Sequence, residues 1–408
     1  LIFNRAARRE APKFTGSFDI EVKSFNEILK LGSKTTLDPP KIAPDAIAFL
    51  QYTGGTTGVS KGAMLSHGNV LANVLQVEAW FTDSVETGQE IMITALPLYH
   101  IYALTVNCFS FLVHGGMNYL ITDPRDTTRF IKELARVPFT AITGVNTLFN
   151  SLLTHEKIGE VDFSHLKYAS GGGTAVQTAV AASWESVTGK IISEGYGLTE
   201  ASPVVCVNPF DAEEFTGSIG LPVPSTECKV LKDDGLEAAA GEPGELYVRG
   251  PQVMRGYWKR PQETAEVLDK DGWLRTGDVA LVRDDGYFQI VDRKKDMILV
   301  SGFNVYPSEI EDVVVSHPGV ADAAAIAVAV ADAKTTEAIK LIVVRNDPEL
   351  NAADLIAHCR EQLTPYKVPR YIEFVDELPK SNVGKILRRA VREQFGGTSS
   401  GDLSIPAE

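Results

Sequence analysis

The stretch YTGGTTGVSKG, from Tyr52 to Gly62, puts glycines, threonines and a single lysine into one short run. Gly54, Gly55 and Gly58 reach backbone conformations that other residues avoid, so their N–H groups can converge on an anion. Thr53, Thr56 and Thr57 add hydroxyl donors, and Lys61 adds a positive charge. Together these are the ingredients for holding phosphate. The run does not match GxxxxGK[ST], in which the lysine follows a glycine directly and the next hydroxyl meets Mg²⁺. Here Val59 and Ser60 separate Gly58 from Lys61, and Gly62 follows the lysine. A carboxylate for a metal must therefore come from elsewhere. The plainer reading of the same residues is a flexible strand-to-helix turn.

That carboxylate has a candidate in SEGYGLTEASP, Ser193 to Pro203, where Glu200 follows Thr199. A hard cation bridging phosphate oxygens takes oxygen ligands, and Glu200 with the Thr53 hydroxyl would serve. Tyr196 offers a flat face for a base, and ASGGGTA, Ala169 to Ala175, lets a ring lie against bare backbone. Gly-rich turns after strands are common in α/β proteins, so each segment alone says little. Asp278, in GWLRTGD, can take both hydroxyls of a ribose or simply shape a turn. The run Asp292-Arg293-Lys294-Lys295-Asp296 is either a solvated face or a junction between domains. Lys385 follows Gly384 just ahead of a helical pattern, where it can enter a cleft or remain a surface lysine.

These residues need a scaffold, and the hydrophobic pattern supplies one. AIAFLQYT is a short strand leading into the glycine-threonine run. SHGNVLANVLQVEAWF has helical periodicity with Ser66 as N-cap. Strand and helix signals alternate to about residue 205, which predicts a parallel sheet with helices on its faces. From about Gly217 to Val291 short strands split by Gly and Asp predict a small antiparallel or barrel-like region. From Asp292 onward the pattern is that of a compact α+β domain. The fold expected is an α/β large domain over residues 1–291 with a smaller C-terminal α+β domain over 292–396, joined by a hinge. A polar tail, 397–408, is expected to be disordered. LDPPKIAPDA, Leu37 to Ala46, reads as a connector.

Composition narrows the function. The chain has 408 residues and a net charge of −14, which argues against nucleic-acid binding and against an electrostatic grip on acidic lipid. Its four cysteines are scattered without metal-ligand spacing, as fits a reducing cytosol. Ile91 to Thr122 carries no Asp, Glu, Lys or Arg, long enough for a membrane span of roughly 20 residues. Pro97, His100, Asn107, His114 and Asn118 would be costly in lipid, so a buried strand–helix–strand is the preferred reading.

In order along the chain, YTGGTTGVSKG, YGLTE, GWLRTGD, DRKKDMILVSGFNVYPSEIE and PKSNVGKILRR resemble the core motifs of the adenylate-forming acyl-CoA synthetase superfamily. ALPLYHIYALTVNC, FTAITGVNTLFNSLL and GSIGLPVPSTE are similar to the bacterial long-chain fatty-acid–CoA ligases within it. The resemblance covers Pro44 to Phe395 and implies a further N-terminal segment before Leu1. It also implies ATP-dependent conversion of a fatty acid to its coenzyme A thioester through an acyl-adenylate, with Mg²⁺. Thr53 to Lys61 would hold the ATP phosphates, with Thr53 and Glu200 at the metal. Gly171, Gly172, Gly173, Glu194, Gly195, Tyr196, Gly197 and Thr199 would contact adenine and adenylate. Asp278 and Arg293 would hold the ribose, Asp292 would lie at the hinge, and Lys385 would reach the acyl carboxylate and α-phosphate. Gly302 and Phe303 would line the coenzyme A route. His100, Tyr102, Leu104, Val106 and Gly144 would wall the acyl pocket. The resemblance further implies a cytoplasmic enzyme and leaves open peripheral association with the inner membrane and a homodimer. Two rival readings are an acyl-AMP ligase that loads a carrier protein, and a nucleotide- or lipid-binding module without turnover.

Overall fold

The computed structural model describes residues 23–53, 60–81, 85–330, 337–381, 384–397 and 403–404. The chain divides into two units, Leu1–Ala43 and Pro44–Glu408. In the first, α1 (Phe25–Gly32) opens on a capping box the sequence reading did not anticipate. Ser24 accepts from the Glu27 backbone N–H and the Glu27 carboxylate accepts from that of Ser24. Residues 36–43 form neither helix nor strand, as expected of a connector.

In the second unit β1 (Ile47–Thr53) pairs antiparallel with β2 (Lys61–Ser66), Thr53 opposite Lys61. The segment between Thr53 and Lys61 thus connects two strands, where the plainer reading has a strand-to-helix turn. Ser66 then starts α2 (His67–Phe81) as predicted. Its hydroxyl accepts from Asn69 N at 3.1 Å while Asn69 Oδ1 accepts from Ser66 N at 3.0 Å.

A seven-stranded sheet follows. It comprises β3 (Ile91–Thr94), β4 (Met117–Leu120), β5 (Ala141–Gly144), β6 (Tyr168–Gly171), β7 (Ile192–Gly197), β8 (Val204–Val207) and β9 (Leu221–Pro222). The spatial order is β4-β3-β5-β6-β7-β8-β9. The pairs from β4 to β7 are parallel and the last two antiparallel, so the sheet is mixed. The uncharged segment becomes β3, a helix and β4. The helix is a π-helix over Ala103–Ser110, continued by α3 (Phe111–Val113). Its polar residues are satisfied inside the core: Asn107 Nδ2 donates to Thr143 Oγ1 at 2.8 Å, and Asn118 Nδ2 to the Asn107 carbonyl at 2.9 Å. No helix among the described residues is long and apolar enough to cross a membrane. The sheet also carries α4 (Thr127–Leu134), α5 (Asn146–Leu153) and α6 (Thr178–Thr188).

The small region is a four-stranded antiparallel sheet in chain order: β10 (Glu227–Leu231), β11 (Gly244–Arg249), β12 (Leu274–Val282) and β13 (Phe288–Arg293), with α7 (Pro261–Val267) between its middle strands. The C-terminal α+β domain holds the hairpin β14 (Ile298–Val300) and β15 (Phe303–Val305), then α8 (Pro307–Val315), β16 (Val320–Ala329), β17 (Glu337–Arg345), α9 (Ala352–Gln362), β18 (Tyr371–Val375) and α10 (Arg388–Phe395). α10 starts at Arg388, later than the GKILRR pattern suggests. Gly384 has φ +79 and Ser381 N donates to the Lys385 carbonyl at 2.8 Å, which makes a turn there. In the tail, β19 (Leu403–Ser404) pairs with β18; residues 398–402 and 405–408 lie outside the described residues.

The core against one face of the large sheet centres on aromatic edges: Phe149 meets Trp184 at 4.9 Å, and both are fully buried. Phe149→Ala is expected to destabilise the large domain by roughly 3–5 kcal/mol, read as a lower urea midpoint at unchanged slope.

Candidate active site

β1, β2, the ends of β6 and β7, β12, β13 and the C-terminal domain converge on one cavity of ≈ 1520 Å³. That exceeds the usual few hundred to a thousand Å³ of a small-molecule pocket, leaving room for more than one ligand. Thr53 and Lys61 line it from the base of the β1–β2 hairpin. Gly54, Gly55, Thr56, Thr57 and Gly58 lie outside the described residues.

Lys61 Nζ stands 5.1 Å from the centre of the Tyr257 ring, and Tyr257 donates its hydroxyl to Glu200 Oε1 at 2.7 Å. Burial first, then the Glu200 charge, push the Tyr257 hydroxyl pKa far up, so it stays a donor. Tyr257 thus links the two expected phosphate and metal residues. Nothing in its local sequence marks it, because it arrives by a bridge to Ala63 of β2. Glu200 sits on the 3₁₀ turn Thr199–Ala201 that directly follows β7, close to β1. No group of three or more His, Cys, Asp or Glu suited to a metal occurs among the described residues. An oxygen pair from Thr53 and Glu200 nevertheless suits a hard cation whose other ligands are phosphate oxygens and water.

Asp278 and Arg293 face each other across β12 and β13, with Asp278 Oδ1 3.4 Å from Arg293 Nε. Tyr196 was expected to offer a ring face; its hydroxyl also donates to Asp278 Oδ2 at 2.5 Å, orienting that carboxylate. Gly171, Gly172 and Gly173 line the cavity beside Gly195, Gly197 and Thr199. A Cβ on Gly172 would crowd the Tyr102 ring at 3.1 Å, and Gly173 has φ +81, a conformation that favours glycine. Glu194 is buried and its carboxyl accepts from Val176 N at 3.2 Å, pinning the far end of this glycine loop. Burial first, and Asp312 of α8 in addition, raise its pKa from the usual 4.5 to about 8.

Lys385 enters from the C-terminal domain and donates from Nζ to the Gly173 carbonyl at 3.3 Å. Gly384 beside it takes a long contact from the Thr147 hydroxyl of α5 at 3.5 Å. Burial, then the nearby Arg293 charge, lower the ammonium pKa to about 8. His100 also lines the cavity. Burial first and the Lys385 charge second hold its imidazole below the usual range, and Nδ1 accepts from Tyr102 N at 3.3 Å.

Asp292 is buried at the junction: Oδ2 accepts from Ser308 N in the first turn of α8 at 2.8 Å, and Oδ1 lies 3.5 Å from Arg388 Nη1. Arg388 also pairs with Glu311, and Arg392 with Asp296 at 2.8 Å.

Four expected positions lie outside this cavity. Leu104 packs into the core beneath the small sheet and does not line the cavity, because residues two apart on a helix face opposite ways and Tyr102 and Val106 take the cavity side. Gly144 backs onto α5, where a Cβ would crowd the Phe149 and Leu148 side chains at 3.0 and 3.1 Å. Gly302 (φ +86) and Phe303 sit on the β14–β15 turn outside the cavity, where the exposed Phe303 ring stacks on Tyr366 at 4.6 Å.

The large-domain sequence from 5 to 258 matches the profile of the AMP-binding enzyme family, and residues 309–385 match the AMP-binding enzyme C-terminal domain. The chain belongs to the AMP-binding enzyme family. It is 57% identical over 374 residues to a long-chain-fatty-acid–CoA ligase of Escherichia coli O157:H7, covering 92% of this chain and 66% of that protein. A long-chain-fatty-acid–CoA ligase of Bacillus subtilis (strain 168) is 39% identical over 91% of this chain and 66% of its own length. The chain thus spans just under two thirds of these curated relatives. Among solved structures, ATP-bound MatB from Rhodopseudomonas palustris superposes with a TM-score of 0.79 at 32% identity, covering 88% of this chain and 70% of that one. For an AMP-binding enzyme the shared C-terminal domain gives the docked Lys385 a natural place beside the glycine loop.

Two outcomes follow from this electrostatic arrangement. Between about pH 4.5 and 8 the folded protein keeps a proton on Glu194 that the unfolded chain has released. Stability is therefore expected to fall with rising pH across that window, by up to about 1.4 kcal/mol per unit, and to level off above it. Glu194→Gln keeps an acceptor for Val176 N and should remove that slope in pH-resolved chemical denaturation. Arg388→Ala leaves Asp292 and Glu311 buried without their partner and should cost roughly 3–5 kcal/mol, seen as an earlier thermal transition.

Proposed function

We propose that this protein activates long-chain fatty acids, turning fatty acid, ATP and coenzyme A into acyl-CoA, AMP and pyrophosphate through an acyl-adenylate. The observation that carries this reading is that one cavity is lined by two unlike sets of residues. Lys61, Glu200, Asp278, Arg293 and Lys385 are charged; Val77, Phe81, Met92, Val106, Phe111 and Ala141 belong to one apolar cluster, against which Tyr102 packs. A nucleotide fits the first and a hydrocarbon chain the second, with the carboxylate between them beside Lys385.

A carboxylate is a poor acyl donor and is repelled by the triphosphate it must meet. Lys385 lies between both anions and offsets that repulsion, while Asp278 and Arg293 hold the ribose and the glycine loop receives adenine. The carboxylate oxygen attacks the α-phosphorus and the bond to pyrophosphate breaks. Lys61 stays with the leaving group. Mg²⁺ held by Thr53 and Glu200 would add charge neutralisation on the phosphates. Little covalent work is asked of the protein; alignment and preorganised charge lower the barrier. The docked C-terminal domain has Lys385 within reach of the loop, as adenylation needs. Turning about Asp292 would then withdraw Lys385 and bring the Gly302–Phe303 turn toward the coenzyme A path, after which the thiol attacks the acyl carbon and AMP leaves.

Lys385→Ala should lower fatty-acid-dependent pyrophosphate release by about 10²–10⁴-fold, a range usual for one positioned charge or proton donor. Conversion of preformed acyl-AMP and coenzyme A to thioester should stay within a few-fold of the unsubstituted protein. Equal loss in both half-reactions would sink the assigned role. Thioester formation with free coenzyme A also separates this reading from carrier loading.

A further inference from the structure

One helical face contributes to the apolar limb of the lining: Tyr102, Val106 and Phe111 stand on it at spacings of four and five residues, the side a π-helix keeps in register through its wider turns. Phe111 belongs to a packed aromatic group. Phe81 is its hub: its ring stacks on Phe210 at 4.7 Å and 13°, and meets Tyr168 edge-on at 5.6 Å and Phe111 at 6.4 Å. Tyr168 and Phe210 also meet edge-on at 5.6 Å. All four rings line the cavity. They come from four separate places in the fold: the last residue of α2, the first of α3, the first of β6 and the segment after β8.

That segment is tied down. Trp80 donates its indole N–H to the Asn208 carbonyl at 3.3 Å, and Asn208 Nδ2 donates to the carbonyls of Glu194 at 2.8 Å and Ser218 at 2.6 Å. Interlocked rings on anchored backbone do not yield to an extra methylene without strain, because a packed interior resists added volume.

We propose that Phe81, Phe111, Tyr168 and Phe210 form the end wall that sets the longest acyl chain this protein accepts, with Phe81 as its hub. This rests on the fatty-acid reading given above. Each methylene that no longer fits in front of a rigid wall is worth on the order of tenfold in kcat/KM.

The test is the chain-length profile of kcat/KM, measured by pyrophosphate release with saturated acids from octanoate to eicosanoate, for the unsubstituted protein and three variants. Phe81→Ala and Phe210→Ala should move the preferred length upward and raise the longest acids at least tenfold relative to octanoate. Val106→Trp narrows the limb before the wall and should cost palmitate at least tenfold while octanoate changes only a few-fold. Phe81 is fully packed and Phe210 only half-buried, so Phe210→Ala decides the matter if Phe81→Ala does not fold. An unchanged length profile in folded, active Phe210→Ala overturns the wall alone. No turnover of any fatty acid by the unsubstituted protein overturns the ligase reading, and the wall with it.

Discussion

Arg388 holds the chemistry together. It stands at the first position of α10, three residues after Lys385, and pairs at once with Asp292 at the end of β13 and with Glu311 of α8. Burial alone would disfavour its charge, yet Glu311, Asp292 and Asp296 more than offset this and drive its pKa upward. A guanidinium locked among these acids fixes the turn ahead of α10, and so the direction in which Lys385 leaves it. A buried charge cluster of this kind adds little net stability over an apolar replacement, but breaking it is costly. That asymmetry suits a junction that must keep one geometry until it changes as a whole.

The same low dielectric acts on the rest of the cavity. Lys385 loses hydration and gains the repulsion of Arg293, which weakens its hold on its proton and leaves it short of anionic partners. A carboxylate and a phosphate arriving together would supply them. Glu194, also buried, is driven the other way and stays neutral near pH 7. His100 is neutral for the same reason. The lining thus combines charged residues, buried groups held neutral and an apolar cluster.

Much of this was legible in the sequence because local pattern governs it. Ser66 capping α2, the strand–helix–strand of the uncharged segment and the α+β order after Asp292 all follow from spacing and cap chemistry. Lys61, Glu200, Asp278 and Lys385 were readable as a set only because several short motifs occur in one order, and all four line one cavity. What stayed hidden was tertiary. Lys61 begins a second hairpin strand because Gly62 to Ser66 pair back on β1, which no residue nearby announces. Tyr257 reaches Glu200 from far along the chain. The π-turns of Ala103–Ser110 bring Phe111 onto the face of Tyr102 and Val106, a shift that an ordinary helical period cannot foresee.

The central claim is that acid and nucleotide react directly in this cavity before coenzyme A takes part. Exchange of labelled pyrophosphate into ATP, with coenzyme A left out, tests it most directly. The account predicts rapid exchange with palmitate and Mg²⁺ and none without the acid. Exchange indifferent to fatty acid, or AMP formed from palmitate only when coenzyme A is present and with no exchange before it, would contradict it.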